Sequence, residues 1–358
     1  MFTKQNLLIS SAGLLVLAVV FIAALDWGSG NDDSTRGVVV RGPEPASLPA
    51  AGGFSADGRV ADSQGKTEPA EPAVTEFQLP QVVAYEIAES AYLERRYDEA
   101  VQLFNRYTEQ KGGNPWGFYM LGLSAWKAGD LDKAEAALVR AIELDGTHVK
   151  SYLNLSRVLL DSNRPAEAMP RLDEALALDP QLGVAYRLRG RAFHQLGDRI
   201  EAEEAYRQAI ALDREDAWSM NNLALVLIEQ ERFDEALAPL ARAIELKGDI
   251  AIFQNNLGMV LEHSGHLQAA QEAYELAATL DGSYEKAASN RDRLSAVDKK
   301  PDLQPVDLAA AAQSFAETVE RWTVAAAAGE HPEWIELDTD SIVVSGAGFV
   351  KADSTGNR

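Results

Sequence analysis

The sequence predicts an all-α protein built as a solenoid, in which similar helix–turn–helix units stack side by side. Three observations predict it. Alanine recurs every 34 residues without a break, a second column at this interval holds only small residues, and a third holds only large ones. Because small residues let two helices approach closely and large ones fill the space beside them, these columns indicate one helix pair in each repeat.

The columns keep one register through most of the chain. The alanine column consists of Ala100, Ala134, Ala168, Ala202, Ala236 and Ala270. The small column consists of Ala88, Gly122, Ser156, Gly190, Ala224 and Gly258. The large column consists of Phe104, Leu138, Leu172, Tyr206, Leu240 and Tyr274. Between the two helices of a unit, where a left-handed C-cap is expected, stand Gly129, Asn163, Gly197 and Gly265.

This pattern resembles the tetratricopeptide repeat (TPR) family, whose unit is a 34-residue helix–turn–helix. The stretch "GFYMLGLSAWKAGDLDKAEAALVRAIELD" shows it most plainly, while Arg189 stands where an apolar residue is usual. The resemblance implies a right-handed superhelix of about six units, with the first helix of each unit lining the concave face. We place the array at residues 81–282 and a polar-faced capping helix at 283–297. The predicted units are 81–114, 115–148, 149–182, 183–216, 217–250 and 251–282.

The N-terminal region contains one apolar stretch, "LLISSAGLLVLAVVFIAAL", at residues 7–25. As a helix it measures roughly 28 Å, close to the thickness of a bilayer core. It predicts a transmembrane signal anchor after a short segment at residues 1–6, with a cleaved signal peptide as the open alternative. Lys4 before it and Asp26 after it favour an N-in, C-out topology. The repeats would then lie on the outer, periplasmic side of a cell (inner) membrane.

Two further segments flank the array. Residues 26–80 are rich in Pro, Gly and Ala and predict a flexible, disordered linker. The tail at residues 298–358 predicts one amphipathic helix, which either folds back on the array or binds a partner. The apolar face of that helix consists of Leu308, Ala312, Phe315, Val319 and Trp322.

Composition excludes several classes of function. A net charge of −22 argues against binding nucleic acid, which requires Lys and Arg on phosphates. The absence of cysteine removes disulfides and thiolate metal sites. His263 and His266 span a turn without further ligands, so we expect no metal site and no cofactor. Since no phosphate loop, nucleophile motif or paired carboxylate stands out, we expect no enzyme.

Asparagine recurs at one position of the first helices. Asn154, Asn222 and Asn256 are equivalent, and Asn221 and Asn255 precede two of them. The position resembles the asparagine ladder of peptide-binding TPR proteins, in which side-chain amides hold the main chain of an extended ligand. An amide offers donors and an acceptor, so it suits a peptide backbone. A consensus preference without any ligand is the alternative interpretation.

Cations and aromatic residues occupy the same register in the preceding units. The cations Lys150, Arg157, Arg187 and Arg191 favour an acidic ligand, unless they pair with acidic residues of neighbouring units. The aromatic candidates of the groove are Tyr119 and Trp126, with Tyr85, Tyr92 and Trp116 on the corresponding face. We favour burial between units for Trp116 and Trp126.

These observations favour a membrane-anchored scaffold or adaptor protein. It would bind an extended peptide or protein tail in its groove during assembly of an envelope, secretion or pilus complex. The alternative is a rigid structural or self-associating subunit that docks through its outer face or its C-terminal helix.

Overall fold

A computed structural model describes residues 79–297 and 305–327 of the protein. These residues form fourteen α-helices and no strands, which confirms the all-α prediction for this part of the chain. The chain divides into two compact units, Met1–Ala73 and Val74–Arg358, and every described residue belongs to the second. The predicted segment 1–6, the transmembrane helix at 7–25 and nearly all of the linker at 26–80 lie outside the described residues. Among the helices that the structure describes, none is both long and apolar enough to cross a membrane.

The helices follow one another in pairs. We number them in chain order as α1 (Tyr85–Leu93), α2 (Tyr97–Gln110), α3 (Pro115–Ala128), α4 (Leu131–Leu144), α5 (Val149–Asp161), α6 (Pro165–Leu178), α7 (Gly183–Leu196), α8 (Arg199–Leu212), α9 (Ala217–Glu229), α10 (Phe233–Leu246), α11 (Ala251–His263), α12 (Leu267–Leu280), α13 (Glu285–Ser295) and α14 (Leu308–Ala327). Odd-numbered helices up to α11 are first helices of a unit, and even-numbered helices up to α12 are second helices. Helix α13 lies where the capping helix is predicted.

Small and large residues of the 34-residue columns meet inside each unit. A Cβ atom added to Gly122 would lie 2.6 Å from Cγ of Leu138, and one added to Gly190 would lie 2.7 Å from the ring of Tyr206. The alanine column is completely buried, as at Ala134. Since the close approach of the two helices depends on these residues, the columns directly encode the packing within a unit.

The turns between paired helices reveal a longer repeat. The left-handed residue is glycine in alternate units, at Gly129, Gly197 and Gly265, with φ between 84° and 89°. The intervening units carry Arg95, Asn163 and Glu231 there, with φ between 56° and 60°. Ion pairs alternate similarly, because Arg164 contacts Glu135 and Arg232 contacts Glu203 at an interval of 68 residues. The array is therefore three double units as well as six single ones.

First helices line the inner side of the array. Each first helix from α1 to α9 contacts the first helix of the next unit, and α11 contacts the cap α13. Among the described helices, no second helix contacts another second helix. The array therefore curves towards the first helices, as the resemblance implied. We call the surface formed by the first helices the inner face and the surface formed by the second helices the outer face.

The tail helix α14 folds back on the outer face, which is the first of the two predicted alternatives. It packs against α10 and α8. Phe315, Val319 and Trp322 are at most 2% exposed, so the predicted apolar face is the buried one. Near its end, the Thr323 hydroxyl donates to the Ala211 carbonyl oxygen at 3.3 Å. Helix α14 thus ties unit four to unit five.

Candidate binding site on the inner face

An exposed tryptophan, Trp116, lies on the inner face at the start of α3. Asn114 caps this helix, its side-chain oxygen accepting from the Trp116 backbone N–H at 3.0 Å. Trp116 itself is 43% exposed, so the expectation of burial is wrong for this residue. It lies in the first turn of α3, where its ring rests edge-on against Tyr119 (5.6 Å) and His148 (4.8 Å) instead of entering the core. The three rings form an aromatic ledge.

Tyr119 and His148 form the buried side of this aromatic ledge. Burial raises the pKa of Tyr119 to about 12, and its hydroxyl accepts a hydrogen bond from Asn154 at 3.2 Å. Burial also lowers the pKa of His148, whose Nδ1 lies 2.6 Å from the Ser151 hydroxyl. His148 could not be recognised from helical periodicity, because it precedes α5. Its partner Trp116 lies roughly one repeat earlier, and this spacing could have indicated a contact between the two residues.

Two predicted cations lie beside the aromatic ledge on α5. Lys150 is exposed, although partial burial lowers its pKa. Arg157 is half-buried and donates to the side-chain oxygen of Asn154 at 2.7 Å. Asn154 also donates to the Lys150 carbonyl oxygen at 3.0 Å, so this amide orders the inner face of α5. The structure therefore brings Tyr119, Asn154, Arg157 and Lys150 together.

Arg187 occupies the same register on α7 but has a different environment. Its guanidinium lies 2.6 Å from Asp216, and both side chains are less than a tenth exposed. Asp216 also caps α9 by accepting from the backbone N–H of Ser219. Because burying a charge is costly unless it is paired, this ion pair is part of the junction between units four and five.

Arg191 and Trp126 meet at one carboxylate. Arg191 donates to Asp161 at 2.6 Å, and the indole N–H of Trp126 donates to the same carboxylate at 2.7 Å. Units two, three and four are thereby joined laterally along the inner face. The alternative that the arginines pair with acidic residues of neighbouring units is thus realised for Arg187 and Arg191. Trp126 is half-buried in this arrangement.

The asparagines of units five and six form a relay of hydrogen bonds. Asn290 donates to Asn255 at 2.9 Å, and Asn255 donates to Asn256 at 3.5 Å. Asn256 donates to Asn221 at 2.9 Å, and Asn221 donates to Asn222 at 3.2 Å. Asn221, Asn255 and Asn256 are at most 2% exposed, whereas Asn222 at the end of the relay is half-buried.

This relay places the predicted amide ladder between helices. Adjacent first helices bring residues i and i+35 together, as with Asn221 and Asn256. A buried amide is costly without partners, and here the partners are the adjacent asparagine of the same helix and an asparagine of the neighbouring helix. The proposed role of these amides in holding a peptide stays a prediction. The relay itself explains why asparagine pairs recur in the otherwise apolar helices α9 and α11.

The positive charge of the inner face is concentrated in three first helices, since α1, α9 and α11 each contain more acidic than basic residues. Helices α3, α5 and α7 contain six Lys or Arg residues and one Asp, a net charge of +5. The six cations are Lys127, Lys150, Arg157, Arg187, Arg189 and Arg191. Every second helix has more acidic than basic residues, as in α4 with three acidic residues and two basic ones. A cationic surface on a chain of net charge −22 favours a ligand of negative charge.

Metal-ligand chemistry is not evident among the described residues, which contain no group of three His, Cys, Asp or Glu side chains able to hold an ion. The His263 ring instead stacks on Phe233, with centroids 4.1 Å apart.

The repeats have known counterparts. A family model described as "Tetratricopeptide repeat" matches residues 119–183, 153–217, 187–250 and 221–285. Protein O-mannosyl-transferase TMTC3 of Homo sapiens is 33% identical over 137 residues, which is 37% of this chain and 15% of that protein. Protein O-mannosyl-transferase Tmtc3 of Drosophila melanogaster is 30% identical over 130 residues, covering 36% of this chain and 14% of that protein. The chain thus spans a small part of these curated relatives.

A solved structure supports the same fold. In the crystal structure of the APC/C hetero-tetramer Cut9-Hcn1, one chain superposes with a TM-score of 0.53 at 16% identity, over 58% of this chain and 41% of that one. At this identity the likeness concerns the fold alone. Together with the 34-residue columns and the paired helices, these matches establish that residues 119–285 consist of tetratricopeptide repeats.

Proposed function

We propose that this protein is a scaffold without enzymatic activity that binds an extended, acidic polypeptide segment along the inner face of α3, α5 and α7. The observation that carries the proposal is the excess of positive charge on these three helices, whose six cations outnumber Asp161 and the two further carboxylates, Asp173 and Asp216, that pair with Arg189 and Arg187. Beside that charge, Trp116 and Lys150 are exposed on the same surface. Carboxylates on a ligand would meet cations, and an apolar side chain would meet the aromatic ledge.

The relatives named as transferases do not extend this proposal to catalysis. The matching segments cover only 15% and 14% of those proteins. Because function depends on a site and not on a fold, a shared repeat array does not transfer an activity. The rival proposal, docking through the C-terminal helix, has less support because Phe315 and Trp322 are already buried against the array.

We extend the proposal to location. The apolar stretch at residues 7–25 would anchor the protein in the cell (inner) membrane, and residues 26–80 would tether the array on the periplasmic side. Assembly of an envelope, secretion or pilus complex is the task that fits such a tethered scaffold. A reporter that is active only outside the cytoplasm, fused after Arg358, tests the topology. An inactive reporter that is nevertheless expressed would contradict it.

Site-specific photo-crosslinking in cells tests the binding face. A photoreactive amino acid replaces Trp116 or Lys150 on the inner face, or the exposed Arg140 or the half-buried Arg171 on the outer face, in the full chain. We expect a discrete crosslinked polypeptide from both inner positions and from neither outer position. Equal crosslinking from all four positions, or crosslinking from the outer pair alone, would rule out the inner face as the binding surface.

A further inference from the structure

The first helix of the array, α1, exposes a face that later first helices bury. From α3 onward, each first helix packs against the second helix of the preceding unit, but among the described helices α1 contacts only α2 and α3. Ile87 is 50% exposed, whereas its equivalents one or more repeats later, Leu121, Leu155, Leu223 and Leu257, are at most 5% exposed. Ser90 is exposed, whereas Ser124, Val158, Ala192, Val226 and Val260 are completely buried.

Leu93 is a second unusual feature of α1, because it replaces a polar residue. The equivalent positions of units two to six hold Lys127, Asp161, Gln195, Glu229 and His263. Two of these side chains form hydrogen bonds to the preceding unit, since Asp161 accepts from Trp126 at 2.7 Å and Gln195 donates to the Leu160 carbonyl oxygen at 3.1 Å. Leu93 has no such polar group and is 51% exposed. Helix α1 is therefore suited to an apolar surface and not to a further repeat of this kind.

The exposed face of α1 is complementary to itself. Ile87 and Leu93 lie three residues to either side of Ser90, and residues three apart are neighbours on a helix surface. An antiparallel pair of α1 helices centred on Ser90 would bring each Ile87 opposite Leu93 of the second copy. The small side chain of Ser90 at the centre lets the two helices approach closely. Such self-complementarity is what a dimer with a two-fold axis requires, because both copies present the same residues.

Charges at the two ends of α1 favour the same arrangement. Glu86 at the start of the helix and Arg95 just beyond its end are both exposed. In an antiparallel pair, Glu86 lies near Arg95 of the second copy, and this attraction occurs twice across the axis. Glu94 lies at the same end but is already paired with Arg96 of its own chain at 3.1 Å. Glu89, the other carboxylate of α1, belongs to the inner-face register.

We propose that the protein self-associates through α1, with a second copy of the chain packed on the face formed by Ile87, Ser90 and Leu93, which we call the α1 face. Helix α1 has nine residues and is about 14 Å long, so the contact is smaller than a standard interface and the dimer is weak and reversible. The α1 face is separate from the binding surface on α3, α5 and α7, so this inference does not depend on the proposed function. A dimer presents two inner faces, which increases the avidity for a ligand with two binding segments.

Disulfide trapping tests the dimer in the full chain, which has no cysteine of its own. Two introduced thiols join only when their Cβ atoms approach to about 3.5–4.5 Å. We expect Ser90→Cys to form a disulfide-linked dimer under mild oxidation, and the exposed Ala136→Cys on α4 to form little. Ile87→Cys and Leu93→Cys should each link poorly alone and well when the two variants are mixed. Equal yields from positions 90 and 136 would overturn the proposal.

Other occupants of the α1 face give different results. A mixed dimer of Ser90→Cys with Ser289→Cys, on the cap α13, that exceeds the Ser90→Cys dimer would indicate head-to-tail contact and overturn the two-fold arrangement. In cells, a photoreactive amino acid at position 90 identifies the occupant by mass spectrometry. We expect a link to α1 of a second copy. A link to residues 1–78 of the same chain, or to a different protein, would overturn self-association through this face.

Exchanging the charges tests the antiparallel order. Glu86→Lys or Arg95→Glu alone places like charges together, and we expect the yield of the Ser90→Cys dimer to fall about fivefold. The two substitutions in one chain restore opposite charges, so the yield should return to within about twofold of the original. The turn accepts the change, because Glu231 adopts the same left-handed conformation at the equivalent position of unit five. A double variant without recovery would contradict this order.

Removing the apolar contact provides the last comparison. Ile87→Glu with Leu93→Glu should lower the yield of the Ser90→Cys dimer about tenfold, because two apolar contacts become four buried carboxylates. Leu178→Glu with Leu276→Glu makes the same change at exposed leucines of α6 and α12 and should leave the yield within about twofold. Equal helicity by circular dichroism shows that both variants are folded. Equal losses in both would contradict a specific α1 face. The outcome leaves the proposed function separately testable, because its photo-crosslinking uses the inner face of α3 and α5.

Discussion

The first helices of units two to four and those of units five and six occupy the same positions in the repeat but use them differently. In the earlier units, Trp116 and Lys150 are exposed and the helices are cationic. In the later units, Asn221, Asn255 and Asn256 are buried and bonded to one another. Trp116 and Trp218, three repeats apart at one repeat position, are 43% and 9% exposed, and Trp218 packs edge-on against Phe253 of the next unit at 5.0 Å. A position in a repeat therefore does not fix a role, because the residues that the adjacent unit presents differ.

The two regions also differ in how they are held together. The hydrophobic core forms one cluster up to Ala192 in α7 and another from Ala202 in α8 onward. The second cluster includes Phe315, Val319 and Trp322 of α14. Helix α14 therefore braces the outer face of units four and five, whereas among the described helices none lies across the outer face of units two and three.

The largest expected effect tests this bracing. Trp322→Ala removes a completely buried ring that packs edge-on against Phe315 and lies beneath the Arg207 guanidinium. We expect a loss of about 3–5 kcal/mol in the free energy of unfolding of the later units. Urea denaturation followed by circular dichroism measures it. Trp116→Ala is the matched control and should cost about 1 kcal/mol or less, because that ring is 43% exposed. Equal losses would contradict the difference between the regions.

Breaking the junction between the regions should cost nearly as much. Arg187→Ala leaves Asp216 buried without its guanidinium partner, which we expect to cost about 3–5 kcal/mol in the free energy of unfolding. Arg140→Ala removes an exposed pair with Glu143 and should cost under about 1 kcal/mol. Denaturant unfolding of both variants measures the difference. A small loss for Arg187→Ala would mean that Asp216 finds another donor.

The asparagine relay separates stability from binding. Asn256→Ala leaves the Asn221 oxygen without its donor in a buried site, and we expect a loss of about 1–3 kcal/mol. Partner crosslinking from position 150 should be unchanged, because the relay lies in the later units. Lys150→Glu should behave in the opposite way, with weaker binding and little change in stability. Lost crosslinking with Asn256→Ala at undiminished stability would restore the role of this amide in holding a peptide.

Much of the fold could be predicted from the sequence because each unit is determined by short-range periodicity. The small column at Gly122 and the large one at Leu138 specify the helix pairing within a unit, and the structure repeats it. The buried face of α14 could also be predicted from the spacing of Phe315, Val319 and Trp322. The docking position of α14 could not be predicted from the sequence, because α14 packs against α8 and α10, which are far away in the sequence.

The candidate site was less predictable for a different reason. Each residue was assigned by its position in one helix, whereas contacts between units join residues i and i+35. Tyr119 thus meets Asn154, and Trp126 meets Asp161. Arg187 lies in the inner register of α7, but its partner Asp216 caps the first helix of the next unit. A search at an interval of 35 residues would have indicated the first two pairs, whereas Arg187 and Asp216 are 29 residues apart.

Substitutions in the turns should change stability less, and one of them should stabilise the protein. Glu231 adopts a left-handed conformation, with φ of 60°, where alternate units carry glycine. We expect Glu231→Gly to stabilise the protein by about 0.5–1 kcal/mol, since relief of backbone strain exceeds the added entropy of the unfolded chain. Gly265→Ala imposes the reverse change at φ of 84° and should destabilise it. Thermal unfolding of the two variants measures both signs. Destabilisation by Glu231→Gly would show that the side chain contributes more than its backbone strain costs.

The smallest expected effect is a pH dependence of the earlier units. Burial lowers the pKa of His148 below its ordinary value of about 6.5, so the unfolded chain binds this proton more readily than the folded one. The stabilising contribution is therefore complete above about pH 6.5 and is lost as the pH falls through the folded pKa. We expect the free energy of unfolding to decline less between pH 7 and pH 5 in His148→Gln than in the unmodified protein. Parallel pH profiles would mean that the aromatic ledge does not bury this imidazole, and that the earlier units hold their inner face together without it.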